Sequence, residues 1–407
     1  MTQTSVKILA DSLSPQSHRL TTFVLKLPRI ILAELNTHRM FSRNSSSSRA
    51  ESITKKLERV KNEMFIPDRF AKNCKGMSNK EWLDNTEKMW QRPVIGVDGV
   101  CHSEELITRQ EAAEDEWKIM ATYALSATAT LGNSLDVHKQ HANRLLEPFE
   151  YITVIVTASE WDGFWEQRCP KYVWEDFKTG EKTYFKSKNA MFAVHPDSNM
   201  DYATQEEWDR CQVNTAQPEM MELAEMMYDE YMSHKPTQLK AGEWHVPFGD
   251  NITDEKILAY MKRRQDKRDS EDKGLLAGEC CRDFGGFFFN TLEERIVKTR
   301  IKIATARCAR VSYLTHEGKE DYEADIRLYD FLIEYMHMSP NEHCCVAMTD
   351  AEYFSFIKGK IDINDIPNDD DIRKGRVDWA AYRPNKVFGW CNNIRGFIQH
   401  RWEIENG

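Results

Sequence analysis

Residues 14–49 read SPQSHRLTTFVLKLPRIILAELNTHRMFSRNSSSSR, and the fold turns on how this stretch is parsed. Within it LTTFVLKL (20–27) is rich in β-branched and apolar residues and predicts a strand. Pro28 stops that strand and suits the first turn of a helix. RIILAELNTHRMF then spaces Ile31, Leu35 and His38 at helical intervals. The predicted helix ends near Ser42, because RNSSSS is poor helix material.

Upstream, Val6, Ile8 and Ala10 alternate as in a short strand. Downstream, residues 51–92 are charged and loosely helical. Residues 112–147 predict a helical stretch broken near Gly132-Asn133, with Pro148 closing or kinking its end. YITVIVTAS (151–159) is the most strand-like run in the chain, and the aromatic EWDGFWEQR after it predicts a helix. Residues 169–213 have little period and read as an insertion. QPEMMELAEMMYDEYMS (217–233) predicts a helix whose Met stripe packs in the core. KPTQLKAGEWHVPFGD reads as an ordered loop and a lobe boundary. Residues 252–300 are charge-rich with a GGFFFN patch, and IKIATARCARVSYLTH from 301 predicts a strand or strand plus turn. In DYEADIRLYDFLIEYMHM, Ile326, Leu328, Leu332 and Tyr335 mark the apolar side of an amphipathic helix. NDIPNDDDIRKG reads as an acidic surface loop. The chain thus divides into a core over 1–235, a linker and insertion over 236–300, and a second lobe over 301–407.

With 407 residues, 41% hydrophobic and 29% charged, the chain has an ordinary globular composition. Its net charge of -10 disfavours nucleic acid and anionic membranes as partners, while a local Arg/His cluster can still hold a small anion. MTQTSVKILADSLSP lacks a signal-peptide pattern, and no apolar run suits a membrane span, so a cytoplasmic protein is expected. The ten Cys residues have no disulfide-framework or metal-knuckle spacing, so reduced thiols and no metal site are expected.

The chemistry-bearing segment is Thr37-His38-Arg39 followed by Ser42 through Arg49. Backbone N–H groups, hydroxyls and guanidinium forks hold phosphate and pyrimidine carbonyl oxygens. Taken alone, the segment also suits a solvated serine-rich linker. A faint echo joins the two ends of the chain. Ser14-Pro15-x-x-His18 leads to Thr37-His38-Arg39, and Ser339-Pro340-x-x-His343 leads to Gln399-His400-Arg401, as in an internal duplication or a permuted core.

The pattern HRxxSxxxxSxR over residues 38–49 resembles the signature of the flavin-dependent thymidylate synthases. Ser47 matches its serine and Arg49 the arginine two further on. His38 and Arg39 match the last two residues of its Arg-His-Arg triplet, while Thr37 and Ser45 stand where the family has Arg and Glu. NRLLEP (143–148) resembles the helix supplying a nucleotide-binding arginine, here Arg144. TASEWDGFWEQR resembles the strand-to-helix stretch that ends in the catalytic arginine, here Arg168. Ala216-Gln217-Pro218-Glu219 resembles the helix that follows that arginine closely, yet Ala216 lies 48 positions beyond Arg168, so Arg210 remains a second candidate. Near the C-terminus, Ala309-Arg310-Val311-Ser312-Tyr313 resembles the family's N-terminal ARVS element, and HMSPNEH (337–343) its HxTPxEH element. The order is rotated, as in longer versions from bacterial viruses.

The resemblance implies an α+β fold with an antiparallel-sheet and long-helix core, insertions and a rearranged element order. It implies transfer of a one-carbon unit from 5,10-methylenetetrahydrofolate to C5 of dUMP, giving dTMP, with FAD as cofactor and NADPH as its reductant. Arg168 would be catalytic. Ser47, Ser48, Arg49, Arg144 and Glu34 would bind the nucleotide. Thr37, His38, Arg39, Ser45, Thr157, Ser159, His337 and Ser339 would line the flavin, whereas Gly163 stands where relatives often have Asn. A homo-oligomer, dimer or tetramer, is expected, in a host cytoplasm if the source is viral. Without a GxGxxG fingerprint no Rossmann domain is expected. Four alternatives stay open: a hydroxymethyl-dUMP product, dCMP as acceptor, a non-catalytic nucleotide- or RNA-binding protein, and a structural virion protein.

Overall fold

The computed structural model describes residues 3–75, 81–83, 85–95, 101–176, 178–196, 216–271, 291–313, 321–359, 366–379 and 386–406. In chain order, β1 (Ser5–Leu13) and β2 (Arg19–Pro28) form a hairpin, followed by α1 (Leu32–Leu35), β3 (Ser42–Ser45) and α2 (Ile53–Asn62). The hairpin β4 (Lys88–Ile95)/β5 (Cys101–Thr108) leads into α3 (Arg109–Ala129), β6 (Tyr151–Ala158) and α4 (Asp162–Arg168). A second hairpin, β7 (Tyr172–Glu175)/β8 (Lys182–Phe185), precedes α5 (Pro218–Ser233), β9 (Thr237–Gln238) and β10 (Trp244–His245). Three helices follow: α6 (Asp254–Glu271), α7 (Leu292–Arg310) and α8 (Tyr322–Glu334). The C-terminal strands are β11 (Cys345–Ala347), β12 (Trp390–Cys391), β13 (Ile394–Arg395) and β14 (Phe397–Gln399).

The central sheet has the order β3-β6-β2-β1-β9. Its first four strands pair antiparallel, and β9 adds in parallel to β1. One face explains the apolar runs that were legible in the sequence. Phe23, Leu25 and Leu27 of β2 and Val154, Val156 and Ala158 of β6 pack against Trp161, Phe164 and Trp165 of the β6–α4 segment, and against Met220, Leu223 and Met227 of α5. The Met stripe is therefore core, as its helical spacing predicted. Below the sheet, the buried Glu150 is ion-paired with Lys56 and Arg59 of α2 and with Arg29, which fixes α2 at the start of β6.

Several expectations are corrected. The helix after Pro28 ends at Leu35 rather than near Ser42, and RNSSSS is not a plain loop: β3 pairs with β6 from Ser42↔Thr157 to Ser45↔Val154. Strand formation there comes from the neighbouring strand, which supplies hydrogen bonds that local propensity does not favour. The run from 301 is no strand but the C-terminal half of α7. Ile301 and Ile303 through Ala309 are buried together, so the segment shows no solvent face and no amphipathic period. Among the described residues of the loosely helical 51–92 region only α2 is helical, and β4 begins at Lys88. The long helical stretch breaks as expected: a π turn over Thr130–Ser134 follows α3, and Pro148 lies inside a 3-10 helix over Asn143–Phe149. The 169–213 segment carries the β7/β8 hairpin, and the acidic loop carries a short helix, Asp369–Arg373. GGFFFN and Arg210 lie outside the described residues.

The C-terminal third is fastened to the N-terminal sheet. β10, β11 and β14 form a second, three-stranded sheet that brings residues from 244 to 399 together. The Gln16 amide donates to Met348 O and to Asp350, each at 3.0 Å. Gly396 holds φ +79°, and a Cβ there would meet His18 Cβ at 2.8 Å and Ser14 Oγ at 2.9 Å, so only glycine fits this seam. Both Ser-Pro-x-x-His turns of the echo lead directly into strands, β2 and β11. Among the described residues no helix is long and apolar enough to cross a membrane.

Candidate active site

Arg168 closes α4, a short helix fixed to the core by Phe164 and Trp165. Its side chain reaches back to the segment after α1. Arg168 Nε donates to His38 Nε2 at 3.0 Å, Nη1 is ion-paired with Glu34, and Nη2 lies 3.5 Å from Thr37 Oγ1. The His38 ring stacks at 5.5 Å on Phe41 and meets the edge of Phe164 at 4.9 Å. Burial first, then the charges of Arg168 and Arg43, lower the His38 pKa to about 4. His38 is therefore neutral at pH 7. Since Nε2 accepts from Arg168, the ring proton is assigned to Nδ1. Arg43, which the sequence reading left without a role, donates to the carbonyls of Leu35, Asn36 and His38 and so holds the turn in place. Arg39 is exposed beside it.

The other predicted residues fall in two further places. Ser47 N–H donates to Ser312 O at 3.1 Å, and Ser47 Oγ accepts from Arg49 N at 3.3 Å. Ser48 is buried, its carbonyl accepting from Asn143 Nδ2 at 2.8 Å, which brings Arg144 near this loop by sequence adjacency. Arg144 itself is 58% exposed and pairs with Glu147 at 3.2 Å. Ser47, Arg49 and Arg144 thus lie beyond one end of β3 and the Arg168 cluster beyond the other. Ser45 ends β3 half-buried, and His337 and Ser339 are exposed. Among the described residues, cavities of about 460 and 570 Å³ are lined by other residues than these.

The third place is a buried polar seam between the sheets. Thr157 is fully buried, and its hydroxyl is engaged by Thr22 Oγ1 at 2.7 Å and His343 Nδ1 at 2.8 Å. Thr22 also meets His245 Nε2 at 2.8 Å, and His245 Nδ1 meets Ser12 Oγ at 2.9 Å. Burial lowers both imidazoles to about 3. Thr157, expected to line a cofactor, is thus spent on joining β6 to His343. Ser159 is similar: its Oγ accepts from Arg395 N at 2.8 Å. Where the Ser339–Glu342 turn packs on β3, His343 Nε2, Asn44 Nδ2 and both amide atoms of Asn341 are buried without a hydrogen-bond partner. His245, Asn341 and Asn44 were not singled out in the sequence, where lone His and Asn residues carry no periodic signal.

No family model matches the chain, and no curated protein matches it. Among solved structures it is similar to a UMP/dUMP methylase, PolB from Streptomyces cacaoi. The form bound with 5-Br UMP is 15% identical, with 57% of this chain and 89% of that chain covered and a TM-score of 0.29. The form bound with 5-Br dUMP is 14% identical, with 57% and 90% covered and a TM-score of 0.33. Scores of this size do not establish a shared fold.

Proposed function

We propose that this chain transfers a one-carbon unit from methylenetetrahydrofolate to C5 of a pyrimidine deoxynucleotide, dUMP first, using a flavin reduced by NADPH. The observation that carries this reading is the Arg168–His38 contact. The family resemblance takes these residues from two motifs 130 positions apart, and they meet at 3.0 Å. Held by both a neutral imidazole and a carboxylate, the Arg168 guanidinium has the fixed orientation that charge stabilisation needs.

An exposed cation, Arg39, next to His38 suits an anionic cofactor, whereas the Thr37 hydroxyl already donates to Glu34 O at 2.7 Å. A second copy would supply an enclosing wall, in keeping with the expected homo-oligomer. Bound flavin, once reduced by NADPH, would supply the two electrons that bring the methylene-level carbon to a methyl group. The protein's share is orientation and charge. Glu34 and His38 fix the guanidinium of Arg168 so that it can face negative charge developing on the pyrimidine ring. His38 serves this only when neutral, since a protonated ring would repel Arg168 and lose its acceptor nitrogen. Ser47, Arg49 and Arg144 would grip the phosphate, with Arg144 leaving Glu147 to do so.

The test is product analysis after incubation with FAD, NADPH, methylenetetrahydrofolate and either dUMP or dCMP. Thymidylate formed from dUMP is expected. A colourless protein that takes up no FAD and forms no product from either nucleotide would end this reading. Activity surviving in Arg168→Ala but lost in Arg210→Ala would move the catalytic role to Arg210.

A further inference from the structure

The cavity of about 460 Å³ is lined by other residues than the Arg168 cluster and lies between the base of the central sheet, the start of α5 and the β7/β8 hairpin, with Pro170 in its wall. Its size falls within the range of small-molecule sites. Phe65, Tyr151 and Tyr172 give it aromatic walls, with Phe65 and Tyr151 edge to face at 5.6 Å. Its charged lining is mostly acidic: Asp68, Glu219, Glu222 and Glu225 against Arg69 and Lys188.

Two of these carboxylates differ. Glu225 is satisfied, accepting from Tyr172 Oη at 2.9 Å and Lys188 N–H at 2.8 Å. Glu219, in the Ala216-Gln217-Pro218-Glu219 motif that the proposed reaction leaves without a role, is only 9% exposed, and its Oε2 has no hydrogen-bond partner. Burial raises its pKa, against the pull of its own backbone amide and Gln217. A buried carboxyl with an idle oxygen costs free energy that a ligand's N–H donors would recover. A metal ion is a poor occupant: among the described residues no group of three His, Cys, Asp or Glu side chains is placed to hold one. The acidic lining also disfavours a phosphate deep inside.

We infer that this cavity binds a planar heterocycle of the 2-amino-pyrimidinone type, whose adjacent ring N–H and amino group donate together to the Glu219 carboxylate while its faces lie between aromatic side chains. Guanine nucleosides and pterins share that edge. A paired N–H donor edge on a carboxylate is a strong, directional contact, and stacking supplies sequence-independent affinity. Any charged tail would extend outward, past the acidic walls.

The experiment measures equilibrium binding of guanosine, inosine and 6-hydroxymethylpterin to the full chain by intrinsic tryptophan fluorescence. Guanosine is expected to bind about tenfold or more tightly than inosine, which lacks the 2-amino group. Glu219→Gln should erase that preference, while Arg168→Ala should keep it, which separates this site from the proposed reaction. A tighter pterin would point to a folate as the natural source, and a tighter guanosine to a nucleoside. Equal binding of guanosine and inosine by the unaltered protein, or no binding of any probe at millimolar concentration, would overturn the proposal without reliance on the variant's folding. An unchanged preference in a folded Glu219→Gln would do so as well.

Discussion

His38 and His343 are both neutral imidazoles with strongly lowered pKa values, and they do opposite things. His38 is half-buried at a turn, and a guanidinium meets its acceptor nitrogen. Part of its shift comes from positive charge next to it, so its neutrality is tied to the position of Arg168. His343 is fully buried, its shift owed first to burial, and its Nδ1 is bonded to a threonine at the sheet interface. A low pKa by itself therefore does not mark a site. What separates the two is whether a charged partner and a route to solvent stand beside the ring.

The largest effect that would sharpen this contrast is on stability. His343→Ala removes a buried ring and leaves the Thr157 hydroxyl short of a partner, so a loss of about 2–4 kcal/mol is expected in denaturant unfolding. His38→Ala, at a half-exposed turn, should cost well under half of that. Equal losses would erase the distinction.

The pH dependence comes next. His245 and His343 have folded pKa values lowered to about 3, so the unfolded chain takes up protons below the ordinary imidazole pKa that the folded chain does not. Their contribution to stability is complete above about pH 6.5 and is lost as pH falls towards 3. The expected slope approaches about 2.7 kcal/mol per pH unit from the pair. Denaturant midpoints between pH 7.5 and 5 measure it, and replacing both residues by Gln should remove the pair's share of the slope, leaving that of His38 and His400.

Two smaller effects concern the exposed region. Glu34→Gln weakens the anchor on Arg168 and should lower kcat roughly tenfold with little change in Tm. Arg144→Ala should leave Tm unchanged, because an exposed pair with Glu147 contributes little, and should raise the nucleotide KM with kcat preserved. A fall in kcat instead would place Arg144 closer to the chemistry than its place beyond the far end of β3 suggests.

How much of this was legible before the structure depended on periodicity and on neighbours. β2 and β6 were readable from their β-branched and apolar runs, and α5 and α8 from apolar residues at helical spacing. α7 was misread as a strand because burial around its C-terminal half erased the polar face that marks a surface helix. β3 was invisible because a serine-rich edge strand has no hydrophobic alternation, and its pairing with β6 is a fact about residues over a hundred positions away. The Arg168–His38 contact was reachable only through motif resemblance. The His245–Thr22–Thr157–His343 seam had no local signal, since each of its members is ordinary in its own segment.

The central claim is that Arg168, held by His38 and Glu34, acts on a pyrimidine nucleotide. Tritium release from C5-labelled dUMP in the presence of FAD, NADPH and methylenetetrahydrofolate tests it most directly. The account predicts release by the unaltered chain, none when FAD is left out, and a fall of about 10²–10³ in Arg168→Ala. No release under any combination, or full release in Arg168→Ala, would contradict it.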